Sequence, residues 1–292
     1  MVKKILILTM IGFLVFGLIH FISSRTRLFL GMERALLDGF FYLREYNVHE
    51  QNPLVSNQVM IFGFDEESIA VIGKWPWKRY VHAQFLNNIE KFSPRAVMFD
   101  IVFVNPEKAP TYVSHKFETK PGLRREVESA FAEMDGLFEQ ALEKYDNVYL
   151  DLQLVEQPRT GLPEFYQDRI RFNEEMIKPY SQPVKNNMSP VVFHSLEPIL
   201  NDFIQYAHPV AINVLSDDDG VTRSFPLYHT YRMSDQSNRN LFSAVLALTQ
   251  RYYRVKTNDV IIRPENVLLK SARAPILDPE TRQPVVSIEG FE

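Results

Sequence analysis

Apolar positions along this chain alternate between unbroken runs and helical spacing, and the alternation outlines its elements. Ile5 to Ile22 is apolar throughout, with His20 as its one titratable side chain. As a helix such a run extends about 27 Å, close to the thickness of a bilayer's hydrocarbon core. Lys3 and Lys4 precede it, Arg25 and Arg27 follow, and no small-x-small cleavage site lies after Phe21. Residues 1–24 are therefore expected to form an uncleaved transmembrane signal anchor rather than a removable signal peptide. Leu28, Met32, Leu36 and Phe40 recur at steps of four, which predicts an amphipathic juxtamembrane helix and then a polar loop to residue 58.

Val59 to Phe64 and Ala96 to Phe103 are short runs of branched and aromatic residues, the pattern of buried strands. Between them Tyr80, Ala83, Phe85, Leu86 and Ile89 fall at near-helical spacing, and Ser93-Pro94 stops the helix. Strand, helix, strand predicts a βαβ unit with parallel strands. A second helix over 122–145 and a strand over 147–155 predict a second crossover. From 156 to 198 the pattern degrades under prolines at 158, 163, 179, 183, 190 and 198, so an irregular insertion with a helical piece over 165–177 is expected. Strands at 209–214 and 224–228 joined by an Asp/Gly turn predict a hairpin. A helix over 241–253 and strand pieces at 260–262 and 285–288 complete the chain. The fold class expected is α/β: a transmembrane helix, then a body over 59–292 with βαβ crossovers, a mixed sheet and the insertion.

Composition narrows the function. An apolar fraction of 46% and a charged fraction of 23% belong to a folded protein. A net charge of −4 argues against a nucleic-acid partner. With no cysteine, the chain has no disulfide, thiolate metal site or cysteine nucleophile. The basic residues flanking the anchor nearly balance, so they orient it weakly. Beyond Lys3 and Lys4 the chain carries 30 basic against 36 acidic residues, with no overall attraction to an anionic membrane face. The body is placed outside the cytoplasm, on the inner membrane, periplasmic or extracellular.

Candidate chemistry gathers around Gly73-Lys74-Trp75-Pro76-Trp77-Lys78-Arg79, which holds both tryptophans of the chain. The ordinary use of such residues is burial, with the proline setting a helix start. Asp65 and Asp100 close two strands that the crossover makes neighbours, at the sheet edge where α/β proteins bind ligands. Asp65, Trp75, Trp77, Arg79, His82 and Asp100 are the expected sensing residues, the tryptophans as a rigid platform and the charged groups as orienting contacts. For the two aspartates, turn capping or pairing with Arg79 or Arg95 is the competing reading, and for His82 a packed core position. Asp217, Asp218, Asp219 and Gly220 lack the spacing of a calcium loop and read as a solvated turn. The seven histidines show no zinc spacing, and no phosphate-loop, dinucleotide or nucleophile-elbow motif occurs. No catalytic residue, metal or cofactor is expected.

The tryptophan stretch with His82-Ala83 resembles the hallmark of the second type of CHASE domain. Phe62-Gly63-Phe64-Asp65-Glu66-Glu67-Ser68 is similar to that family's first strand and Asp-x-x-Ser. Val97 to Phe103 is similar to its second strand. Asp217, Asp219, Gly220 and Arg223 fall in its Asp-Gly-x-x-Arg hairpin, and Leu241 to Leu248 looks like the helix after it. The resemblance implies an extracellular sensor of bacterial receptors, placed ahead of cyclases, histidine kinases or serine/threonine kinases, and favours a homodimer. Residues 156–198 depart from the family pattern. Family members continue into further strands, membrane spans and an output domain, so this sequence looks like the sensor portion of a longer receptor. The alternative is an anchored scaffold of an envelope assembly, without output.

Overall fold

The computed structural model describes residues 2–23, 27–46, 58–108, 116, 120–185, 189, 191–263 and 266–272. The chain divides into two compact units, Met1–Glu66 and Glu67–Glu292.

The first unit holds α1 (Val2–Ser23) and α2 (Arg27–Tyr46). On α1 the side chains of Met10, Phe13, Leu14, Phe16, Leu18 and Phe21 are exposed. Among the described residues no helix is long and apolar enough to cross a membrane, so the span expected over residues 5–22 is not found there. The strand expected at 59–64 does not form. Those residues have no regular structure, and Val59, Met60 and Ile61 are 70–89% exposed. A run of β-formers becomes a strand only where a neighbour takes its N–H and C=O groups, and among the described residues no strand ladder includes this run. The loop expected over 47–58 lies, but for Gln58, outside the described residues, as does the piece at 285–288.

In the second unit α3 (from Glu66 to Ile72) leads to α4 (Arg79–Ile89) and β1 (Val97–Phe99). A long helix, α5 (Pro121–Lys144), connects β1 to β2 (Val148–Leu152), and the two strands pair in parallel from Val97↔Val148 to Phe99↔Leu150. Later in the chain β7 (His208–Ala211) joins the other edge of β2, also in parallel, from Tyr149↔His208 to Leu152↔Ala211. Crossovers therefore exist as expected, but the sheet begins one strand later than the pattern suggests. Its two faces bury different cores, as the period of two requires. Val97, Phe99, Val148, Leu150 and Leu152 face the larger core with Leu86, Phe138 and Phe203. Tyr149 and Val210 face a smaller one, with Leu246, Val255 and Val260.

Residues 156–198 are not an irregular insertion. After the short β3 (Leu154–Val155) come α6 (Glu164–Ile177), β4 (Ser181–Pro183), β5 (Val192–Phe193) and β6 (Ser195–Leu196). The one-turn α7 (Asn201–Ile204) then precedes β7. β4 and β5 flank β8 (Tyr228–Arg232) and β9 (Asn238–Phe242) in a four-stranded mixed sheet of order β4-β9-β8-β5. Prolines hid these strands, because Pro is tolerated at strand ends and edges. The hairpin expected between 209–214 and 224–228 is not formed either. β7 is held in the parallel sheet by β2, and β8 pairs antiparallel with β9 instead. That real hairpin turns at 233–237, where Gln236 has φ +66° and Met233 N–H donates to Ser237. Ser243 then caps α8 (Ala244–Tyr252), and β10 (Val260–Ile262) pairs with β11 (Val267–Leu269).

Candidate sensing site

The tryptophan stretch folds back on itself. Gly73 takes φ +114°, a region closed to most side chains, and its carbonyl accepts the indole N–H of Trp77 at 2.7 Å. The Trp75–Pro76 bond is cis. Trp77 is buried and Trp75 is 38% exposed, their rings edge-on at 5.6 Å. His82, one turn into α4, is 2% exposed and meets Phe103 at 5.6 Å, Phe99 at 6.0 Å and Trp75 at 6.0 Å. Burial, then the Arg79 charge, lowers its pKa to about 4, so the ring is neutral near pH 7.

Arg79 is locked on every side. Its guanidinium stacks over Phe103 at 4.7 Å and donates to the Asn105 carbonyl at 3.0 Å. Its Nε stands 3.5 Å from an Asp135 oxygen. Glu107 accepts from the Arg79 backbone at 3.3 Å and from Lys78 Nζ at 3.0 Å, while its own N–H donates to Asp135 at 2.8 Å. Desolvation lowers the Arg79 pKa against the opposing pull of Glu107 and Asp135, and desolvation raises that of Asp135. This network ties the start of α4 to residues 105–107 and to α5. Its charges face one another.

The expected carboxylate pair of Asp65 and Asp100 is not a feature of either unit, because Asp65 belongs to the first and Asp100 to the second. Asp65 also ends no strand. Asp100 instead meets Asp151, which the parallel register sets beside it at the carboxyl end of β2. Asp151 is fully buried, and no donor group of the described residues reaches either of its oxygens. Burial, then the neighbouring Asp100 carboxylate, raises its pKa to about 9. Asp151 is thus protonated near neutrality, with neither oxygen in a hydrogen bond among the described residues. The signal for it was present: one carboxylate inside the run Val148-Tyr149-Leu150-Asp151-Leu152.

The Asp/Gly turn is a closed clamp rather than a hairpin tip. Asp217 N–H donates to the Val221 carbonyl at 3.0 Å, and Gly220 takes φ +79°. Arg223 forks between Asp217 at 2.8 Å and Asp219 at 2.9 Å with only 8% of its side chain exposed. All three charges are consumed locally, which leaves the motif a structural part.

A cavity of about 560 Å³ opens elsewhere in this unit, between α6, the loop from Pro158 to Leu162, β6 and the β8–β9 turn. Gln167, Ile170, Arg171 and Glu174 line it at i, i+3, i+4 and i+7 of α6, one helical face. Glu174 is 4% exposed, and its Oε1 accepts three bonds: Tyr231 hydroxyl at 2.7 Å, Ser234 N–H at 2.9 Å and Ser234 hydroxyl at 3.0 Å. At the mouth Arg159 pairs with Glu197, which also accepts from the Tyr166 hydroxyl at 2.7 Å. Sequence reasoning passed over all of these. Glu174 sits on the inward stripe between Ile170 and Ile177, and that position was the available clue.

Among the described residues no group of three or more potential metal ligands is found. The second unit combines a two-faced parallel sheet with a second, mixed sheet and a polar cavity. The profile of the CHASE2 domain matches residues 10–288, and the chain belongs to that family. CHASE2 domains are extracellular sensory domains of signal-transduction receptors. No curated protein and no solved structure matches the chain.

Proposed function

We propose that this chain is the membrane-anchored, extracytoplasmic sensor of a receptor whose output is a cyclase or kinase. Family membership over 10–288 is the observation that carries the reading. The anchoring part of the reading rests on the sequence, where the run from Ile5 to Ile22 carries no Lys, Arg, Asp or Glu. The body then lies outside the cytoplasm on the inner membrane and signals as a homodimer. A stimulus acts through its differential affinity for two packings of the body.

The test is cell fractionation with protease protection. The full chain is expected in the inner-membrane fraction after alkaline carbonate washing, with the body cleaved by protease added to spheroplasts. A body protected in spheroplasts, or a chain released by carbonate, refutes the proposed topology.

A further inference from the structure

The cavity beside α6 has a charge arrangement that a structural role leaves unexplained. Arg171 and Glu174 are one turn apart on the face lining it, a separation that puts side chains about 5–6 Å apart at Cβ and ordinarily makes an ion pair. They do not pair. Arg171 turns to Asp168, an exposed partner, and Glu174 is pinned by Tyr231 and Ser234. All three of the Glu174 bonds fall on Oε1, and among the described residues Oε2 accepts none. A nearly buried carboxylate with one oxygen left over sits one turn from a guanidinium, in a cavity wide enough for a small molecule. Leu162, Ile170 and Met233 add apolar wall to the same cavity.

We infer that this cavity binds a free α-amino acid. Its ammonium group donates to Glu174 Oε2, its carboxylate takes the Arg171 guanidinium in exchange for the exposed Asp168, and its side chain lies on the apolar wall. The nearly buried Glu174 supplies most of the discrimination, because a ligand without an ammonium group leaves its carboxylate charge unmatched. Arg171, exposed and paired with Asp168, adds the preference for a carboxylate. The inference deepens the sensory reading by naming the class of stimulus, and it rests on that reading only for its biological meaning.

The experiment uses the full chain in lipid nanodiscs with each of the twenty common amino acids, by thermal shift and then titration calorimetry. At least one is expected to raise Tm and bind with a 1:1 stoichiometry per chain. Its des-amino acid and its decarboxylated amine are each expected to bind about tenfold more weakly or worse. Glu174→Gln keeps an acceptor for Tyr231 and Ser234 and is expected to abolish the preference over the des-amino acid. Arg171→Gln, at an exposed position, is expected to abolish the preference over the amine. Circular dichroism confirms that both variants are folded. No binding by any of the twenty, or unchanged preferences in both variants, overturns the inference. Because topology is read separately by fractionation, failure here leaves the proposed sensor placement standing, and failure there leaves an amino-acid site standing.

Discussion

The tryptophan motif and the α6 cavity handle charge in opposite ways. Around Arg79 every charge turns inward to a partner: guanidinium to Asp135 and the Asn105 carbonyl, Glu107 to Lys78 and the Arg79 backbone. In the cavity Arg171 and Glu174 share a helix face without meeting, each held by a group of its own. The Arg79 network is closed by ion pairing, although Arg79 Nε and Asp135 Oδ1 make no hydrogen bond among the described residues. Arg171 and Glu174, by contrast, are held apart on a face that lines the cavity.

The sharpest way to break this contrast is Arg79→Ala. It leaves Asp135 and Glu107 facing a partly buried void and is expected to cost about 3 kcal/mol in urea melts. A loss under about 0.5 kcal/mol would return Arg79 to the list of residues free to contact a ligand.

Histidine burial sets the next effect. His82 and His229 are both held near pKa 4, well below the ordinary value, chiefly by burial. A depressed folded pKa means stability present above pH 6.5 and lost as pH falls toward 4. Each is expected to remove about 3 kcal/mol across that window, and His82→Phe should shrink the loss. Equal acid sensitivity in that variant would place the titrating group elsewhere.

Asp151 works in the other direction. Its folded pKa is raised to about 9, so its contribution is complete below pH 4 and declines as pH rises to about 9. Above pH 6.5 the histidines no longer titrate, and a falling limb from there to pH 9 is expected. Asp151→Asn keeps the size of the side chain without an ionisable group. It should flatten that limb and raise stability at pH 8 by about 1 kcal/mol, measured by the same melts. A limb of unchanged slope refutes the raised pKa of Asp151.

The smallest effect sharpens the comparison most. Arg171→Gln removes an exposed pair with Asp168, and its stability change is expected within about 0.5 kcal/mol. A much larger loss would make Arg171 a strut like Arg79.

The sequence by itself determined the helices. α2, α4, α5 and α6 appear within a few residues of their predicted spans, because a helix satisfies its backbone locally and its apolar period shows in consecutive residues. The tryptophan motif was legible enough to place the chain in its family, and the packed reading of His82 was among those it allowed. Only the tertiary structure decided which apolar runs become strands. Val59–Phe64 and Val97–Phe99 look alike as sequence, yet among the described residues only the second joins a ladder, with β2. Strand partners come from remote parts of the chain, so the second sheet assembled from 181–183, 192–193, 228–232 and 238–242 could not be read in order. For the same reason the sequence did not show that parallel register sets Asp151 beside Asp100. The cavity needed that assembly too, since Glu174 acquires its meaning only when Tyr231 and Ser234 come to it from 57 and 60 residues away.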